Sequence, residues 1–155
     1  APPPRPASVA DFDHAAHLAR GVECADCHEG VSEEDPRERA GVPSLRVCAE
    51  LCHGEFDEET RARIAATENG RRMLEALGAG DELWWPSAYF LPDHVVFSHR
   101  RHVAIGGIDC AVCHGDIASA STLPREPISS AVSMDGCMTC HERHGASLDC
   151  FRCHR

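Results

Sequence analysis

Hydrophobic positions along this chain show no sustained two-residue alternation, so strands are not expected. One stretch does carry a helical spacing. In DEETRARIAATENGRRMLEALG (57–78), Ile64, Met73, Leu74 and Leu77 form an imperfect apolar face. Asp57 is placed to cap that helix, Glu58 and Glu59 suit its positive end, and Gly78 can end it. Gly70 weakens its middle. The next segment, DELWWPSAYFLPDH (81–94), gathers Trp84, Trp85, Tyr89 and Phe90, which are expected to pack on neighbouring groups. The opening APPPRPAS reads as an extended arm, because consecutive prolines favour the polyproline conformation over helix. The expected class is mostly α with extensive loops and little or no β.

Composition makes the scarcity of core residues explicit. Of 155 residues, 5 % are aromatic and 26 % charged, which is a thin supply of large apolar side chains. A domain of this size with so little core needs disulfides, metals or cofactors as staples. The chain has ten cysteines and eleven histidines to serve that purpose.

All ten cysteines fall in pairs closed by a histidine. The pairs are CADCH (24–28), CAELCH (48–53), CAVCH (110–114), CMTCH (137–141) and CFRCH (150–154). A disulfide scaffold does not require a histidine after each second cysteine. Zinc sites use paired cysteines but not this recurring Cys-His ending. Two cysteines two residues apart followed by histidine is the signature of covalent haem attachment. Each sulfur adds to a vinyl group at the porphyrin edge, and the adjacent imidazole turns under the iron as its proximal ligand. The attachment residues are then Cys24, Cys27, Cys48, Cys52, Cys110, Cys113, Cys137, Cys140, Cys150 and Cys153, with His28, His53, His114, His141 and His154 on iron. That makes five covalently attached haem c groups and a haem-dominated core. CAELCH has three residues between its cysteines instead of two. One residue can bulge out without moving the final Cys-His pair, so it reads as a haem site. The alternative is a disulfide or metal pair, leaving four haems.

Six histidines remain: His14, His17, His94, His99, His102 and His144. Two phrases repeat. FDHAAHLARGVECADCH (12–28) and FSHRRHVAIGGIDCAVCH (97–114) both run Phe-x-His-x-x-His, a Gly-containing turn, then the attachment motif. Histidines three apart on a helix share a face. They diverge enough to serve two different irons.

This arrangement resembles the class III multihaem cytochromes c, the small tri- and tetrahaem periplasmic carriers, over residues 12–53 and 97–154. The resemblance implies that the first histidine of each pair ligates the haem just downstream and the second a neighbouring haem. His14 would then serve the haem on Cys24/Cys27 and His99 that on Cys110/Cys113. His17 and His102 would reach the haems on Cys48/Cys52 and Cys137/Cys140. His144 would serve the last haem, on Cys150/Cys153, with His94 spare. LPDHVVFSHRRHV (91–103) is also similar to a segment of the pentahaem subunit of alternative complex III. The resulting organisation is an arm at 1–10, a dihaem module at 11–56, a helical and aromatic insert at 57–94, and a trihaem module at 95–155.

Charge and hydropathy bound the setting. There is no lysine, and 15 basic residues face 25 acidic ones for a formal charge of −10, which argues against a nucleic-acid partner. Basic surfaces on redox protein partners suit it better. No run is long and apolar enough to span a bilayer. Covalent haem attachment takes place outside the cytoplasmic membrane, so an exported, periplasmic or extracellular location is expected. An iron held by two histidines has no open position, which points to outer-sphere electron transfer and not to an enzyme. The alternatives are a subunit of a cytochrome filament, built from copies of itself, or of a membrane redox complex. A multihaem reductase with one open haem, near Arg100 and Arg101, is a third.

Overall fold

The computed structural model describes residues 12–31, 40–53, 57–79, 85 and 87–155. The proline-rich arm, residues 81–84 with Trp84, and part of the loop after His28 lie outside them. The chain divides into two units. One comprises Ala1–His28, Val42–Pro86 and Ser121–Leu123, the other Glu29–Gly41, Ser87–Ala120 and Pro124–Arg155.

The described residues are helices and loops without a strand, as the hydropathy pattern predicts. In the first unit these are α1 (His14–Leu18), α2 (Cys24–Cys27), α3 (Leu45–Cys48), a π-helical turn (Ala49–His53), α4 (Glu58–Ala65) and α5 (Glu68–Ala79). The second unit holds a π-helical turn (Arg101–Ile105), α6 (Cys110–His114), a short 3₁₀ turn (Ile117–Ser119), α7 (Met134–Arg143) and α8 (Cys150–Cys153). A single antiparallel bridge joins Val95 to His154.

The helix expected over 57–78 is two helices, α4 and α5. Asp57 does cap the first, accepting from Thr60 N at 2.7 Å. The break comes at Thr67, whose hydroxyl donates to the Ile64 carbonyl (3.2 Å) and accepts from Gly70 N (3.0 Å). One side chain thus adds a bond to a last-turn carbonyl of the first helix, which also accepts from Thr67 N (3.2 Å), and satisfies an orphan amide of the second. Gly70 is a requirement of this corner. A β-carbon there would collide with the Ile64 carbonyl oxygen. The aromatic insert reaches back within its unit, as Trp85 Nε1 donates to the Pro43 carbonyl (2.7 Å) and stands edge-on to Phe12.

Almost nothing apolar among the described residues is buried by protein alone. Among the described residues Leu45 is the one buried hydrophobic residue, while Phe151 is 85 % exposed, Phe90 79 % and Met134 67 %. A polypeptide that leaves its large apolar side chains uncovered is shaped around something else.

Candidate cofactor sites

Three attachment motifs open a short helix at their first cysteine, while α3 and α7 begin three residues before theirs, and the local sequence explains why. An acidic residue precedes the first cysteine in three of them. Asp109 accepts from Ala111 N (2.8 Å) and Asp149 from Phe151 N (3.0 Å), while Glu23 forms a capping box with Asp26. Ser133 caps α7 by accepting from Gly136 N at 3.0 Å. One helical turn then carries both sulfurs, and the His28 and His154 amides close it on the Cys24 and Cys150 carbonyls (2.9 and 2.8 Å). None of the ten cysteines is in a disulfide. Burial pushes the Cys27, Cys48, Cys113 and Cys137 thiols above their ordinary range, and thiols of a neighbouring motif add to it. Cys27 feels Cys52, Cys113 feels Cys140, and Cys137 feels Cys153, so successive motifs are neighbours within each unit.

CAELCH keeps this design with one more residue. Cys48 ends α3, and Ala49–His53 continue as a π-helical turn. A π turn holds one residue more than an α turn, so the extra residue is wound into the helix. The second module uses the same device. Its Phe-to-Cys interval is one residue longer than in the first module, and Arg101–Ile105 are π-helical, closed by Gly106 N to the Arg101 carbonyl at 3.1 Å. Gly21 and Gly107, each three residues before the first cysteine, take φ of 84° and 63°. That left-handed turn ends both distal-histidine segments and favours glycine.

The distal histidines are held alike in the two modules. Phe12 stacks on His17 (4.4 Å, 23°) and stands edge-on to His14 (4.8 Å, 79°). Phe97 stacks on His102 (4.5 Å, 23°) and stands edge-on to His99 (4.8 Å, 87°). His17 Nδ1 donates to the Asp13 carbonyl at 2.7 Å and His102 Nδ1 to the Ser98 carbonyl at 2.8 Å. His141 Nδ1 donates to the Ser147 carbonyl at 2.9 Å. A carbonyl only accepts, so these Nδ1 atoms carry the proton and Nε2 keeps a lone pair for a metal.

Distal and proximal imidazoles face one another. The ring centroids of His17 and His53 are 6.1 Å apart, those of His99 and His114 6.3 Å, and those of His102 and His141 6.1 Å. Two imidazoles bonded at about 2 Å to opposite sides of one metal, with ring centres about 1.1 Å beyond the nitrogens, stand roughly 6.2 Å apart. The residues present therefore fit an iron between each pair. His14 lies beside His28. Burial holds its imidazole below the usual range, helped by His28 and His17, and its buried Nδ1 has no hydrogen-bond partner. Burial likewise lowers His53, with His17 adding to it. Both shifts favour the neutral, ligating form.

The fifth pair differs from the sequence expectation. His144 sits at the exposed C-terminal cap of α7, and the structure brings His94 to His154, with centroids 5.5 Å apart and planes at 26°. The bridge at Val95 does this. Val96 N donates to the Cys153 carbonyl (2.8 Å) and Arg155 N to the His94 carbonyl (3.0 Å), which lays residues 94–96 along the last motif. His94 is the ligand candidate that spacing alone misses. The β-branched pair Val95-Val96 directly after it was the available signal of an extended segment. Tyr89 packs edge-on against His114 and also bridges. Its hydroxyl donates to the His114 carbonyl (2.9 Å) and accepts from Ile128 N (3.1 Å). Among the described residues no three His, Cys, Asp or Glu side chains gather as a metal cluster of the zinc type.

Paired imidazoles beside short helices that carry the cysteine pairs, with no strand and little apolar core among the described residues, are the arrangement expected of a small multihaem cytochrome. Residues 95–155 match the family model described as cytochrome c7 and related cytochrome c. Over 168 residues the chain is 29 % identical to the menaquinone reductase multiheme cytochrome c subunit of Nitratidesulfovibrio vulgaris (strain Hildenborough), across 93 % of this chain and 75 % of that one. Both likenesses support a multihaem cytochrome c.

Proposed function

We propose that this cytochrome relays electrons by outer-sphere transfer through five covalently attached haems, each iron held between two histidines. The pairs are His14/His28 for the haem on Cys24/Cys27, His17/His53 for Cys48/Cys52, His99/His114 for Cys110/Cys113, His102/His141 for Cys137/Cys140 and His94/His154 for Cys150/Cys153. The separations of 6.1–6.3 Å in His17/His53, His99/His114 and His102/His141 carry this reading, and His94/His154 stand at 5.5 Å. When bound, the haem supplies a one-electron iron couple. The chain supplies the rest. Its paired imidazoles would hold the iron and leave no ligand position for a substrate, and Nδ1 bonds at His17, His102 and His141 fix those three rings. The close approach of successive motifs favours short hops between centres.

The likeness to a subunit of a menaquinone reductase favours work inside a quinone-linked redox assembly over a free shuttle or a filament. A reductase delivers electrons to the quinone, so this chain would pass them to a partner that contacts it. Among the described residues no helix is long and apolar enough to cross a membrane. An exported location goes with covalent haem. The test is a spectrum of the oxidised and the reduced holoprotein. Five low-spin haems that bind neither carbon monoxide nor nitrite support the relay, and a high-spin haem that turns over substrate would make the protein a reductase.

A further inference from the structure

The four facing imidazole pairs differ in twist. The rings of His99 and His114 are 8° from coplanar, those of His102 and His141 17°, and those of His94 and His154 26°. The rings of His17 and His53 are 59° apart. The outlier belongs to the motif with three spacer residues.

The twist does not come from His17. Its ring is stacked on Phe12 at the same 23° that His102 makes with Phe97, and its Nδ1 meets a carbonyl four residues back, as His102 does. It enters through His53, which closes the π-helical turn Ala49–His53. His141 sits in the regular helix α7. We infer that the extra residue of CAELCH sets His53 crosswise to His17 and makes this haem electronically distinct from those on Cys110/Cys113, Cys137/Cys140 and Cys150/Cys153. An axial imidazole donates π density perpendicular to its own plane. Two parallel rings act on the same iron d orbital and split the upper pair widely. Two crossed rings act on both orbitals and leave them nearly equal. The spacer thereby becomes a tuning element, through a lever that adds to ligand identity and burial.

This inference rests on the five-haem reading, and one preparation tests both. Intact mass counts the haems, and electron paramagnetic resonance of the oxidised protein reads the splitting. Parallel pairs give rhombic signals, and a crossed pair gives one broad feature at larger g. Deleting Leu51 restores the two-residue spacer. With five haems retained, the large-g intensity should fall by one haem and the rhombic intensity rise by one. The His17→Ala variant should lose the same large-g share to a high-spin signal and leave the rhombic signals intact. Five haems with no large-g feature in the unaltered protein would overturn the inference alone, as would a His17→Ala variant that loses rhombic intensity. Four haems would overturn the reading beneath it.

Discussion

The imidazoles of His99 and His114 lie 8° from parallel with their centroids 6.3 Å apart. They belong to one sequence phrase, separated by a π-helical turn, a left-handed glycine and one short helix. The chain thus brings these two rings face to face within a single local segment. The long-range pairs, His102/His141 and His94/His154, build on that segment.

His94 and His144 make opposite predictions. His94→Ala should open one haem of five, visible as a high-spin band and as carbon monoxide binding of one equivalent per chain. His144→Ala should leave the spectrum unchanged. The reverse result would restore the pairing expected from the motif spacing.

That contrast also shows what the sequence makes legible. The five attachment motifs, the two Phe-x-His-x-x-His phrases and the absence of strands follow from residue types and short spacings. The partner of His154 does not, because it is set by a backbone bridge between segments far apart in the chain. The break at Thr67 was hidden for a related reason. Apolar spacing runs on across it, and the hydroxyl that ends one helix and starts the next leaves the hydrophobic pattern untouched. The extra residue of CAELCH was visible, but its winding into a π turn, and the twist of His53, are conformational.

Gly70→Ala should destabilise the protein. In an open helix the exchange gains about 1 kcal/mol. Here the new methyl meets the Ile64 carbonyl oxygen, so the α4–α5 corner must shift. Thermal unfolding followed by circular dichroism should show a lower Tm with haem absorbance intact. A higher Tm would mean that the corner yields freely.

Tyr89→Phe keeps the ring against His114 and removes the hydroxyl that joins the His114 carbonyl to Ile128 N. Losing that bridge should cost about 1–2 kcal/mol, measured by denaturant unfolding, with no change in haem count. An unchanged midpoint would show that water replaces the hydroxyl without loss.

Acid should weaken the first module. His14 and His53 are held below the ordinary imidazole value of 6.5, chiefly by burial. The unfolded chain then binds more protons than the folded one. Their contribution is complete above pH 6.5 and is lost as pH falls through the folded-state values. Iron ligation acts in the same direction, since only neutral imidazole binds. Denaturant midpoints should therefore fall steadily from pH 7.5 towards about pH 5. A flat profile would contradict burial of these two rings.

The intact mass of the denatured holoprotein tests the central claim most directly. Five covalent haems per chain are predicted, with Cys48 and Cys52 both in thioether bonds. Four haems, with those two cysteines reactive to a thiol reagent, would contradict it.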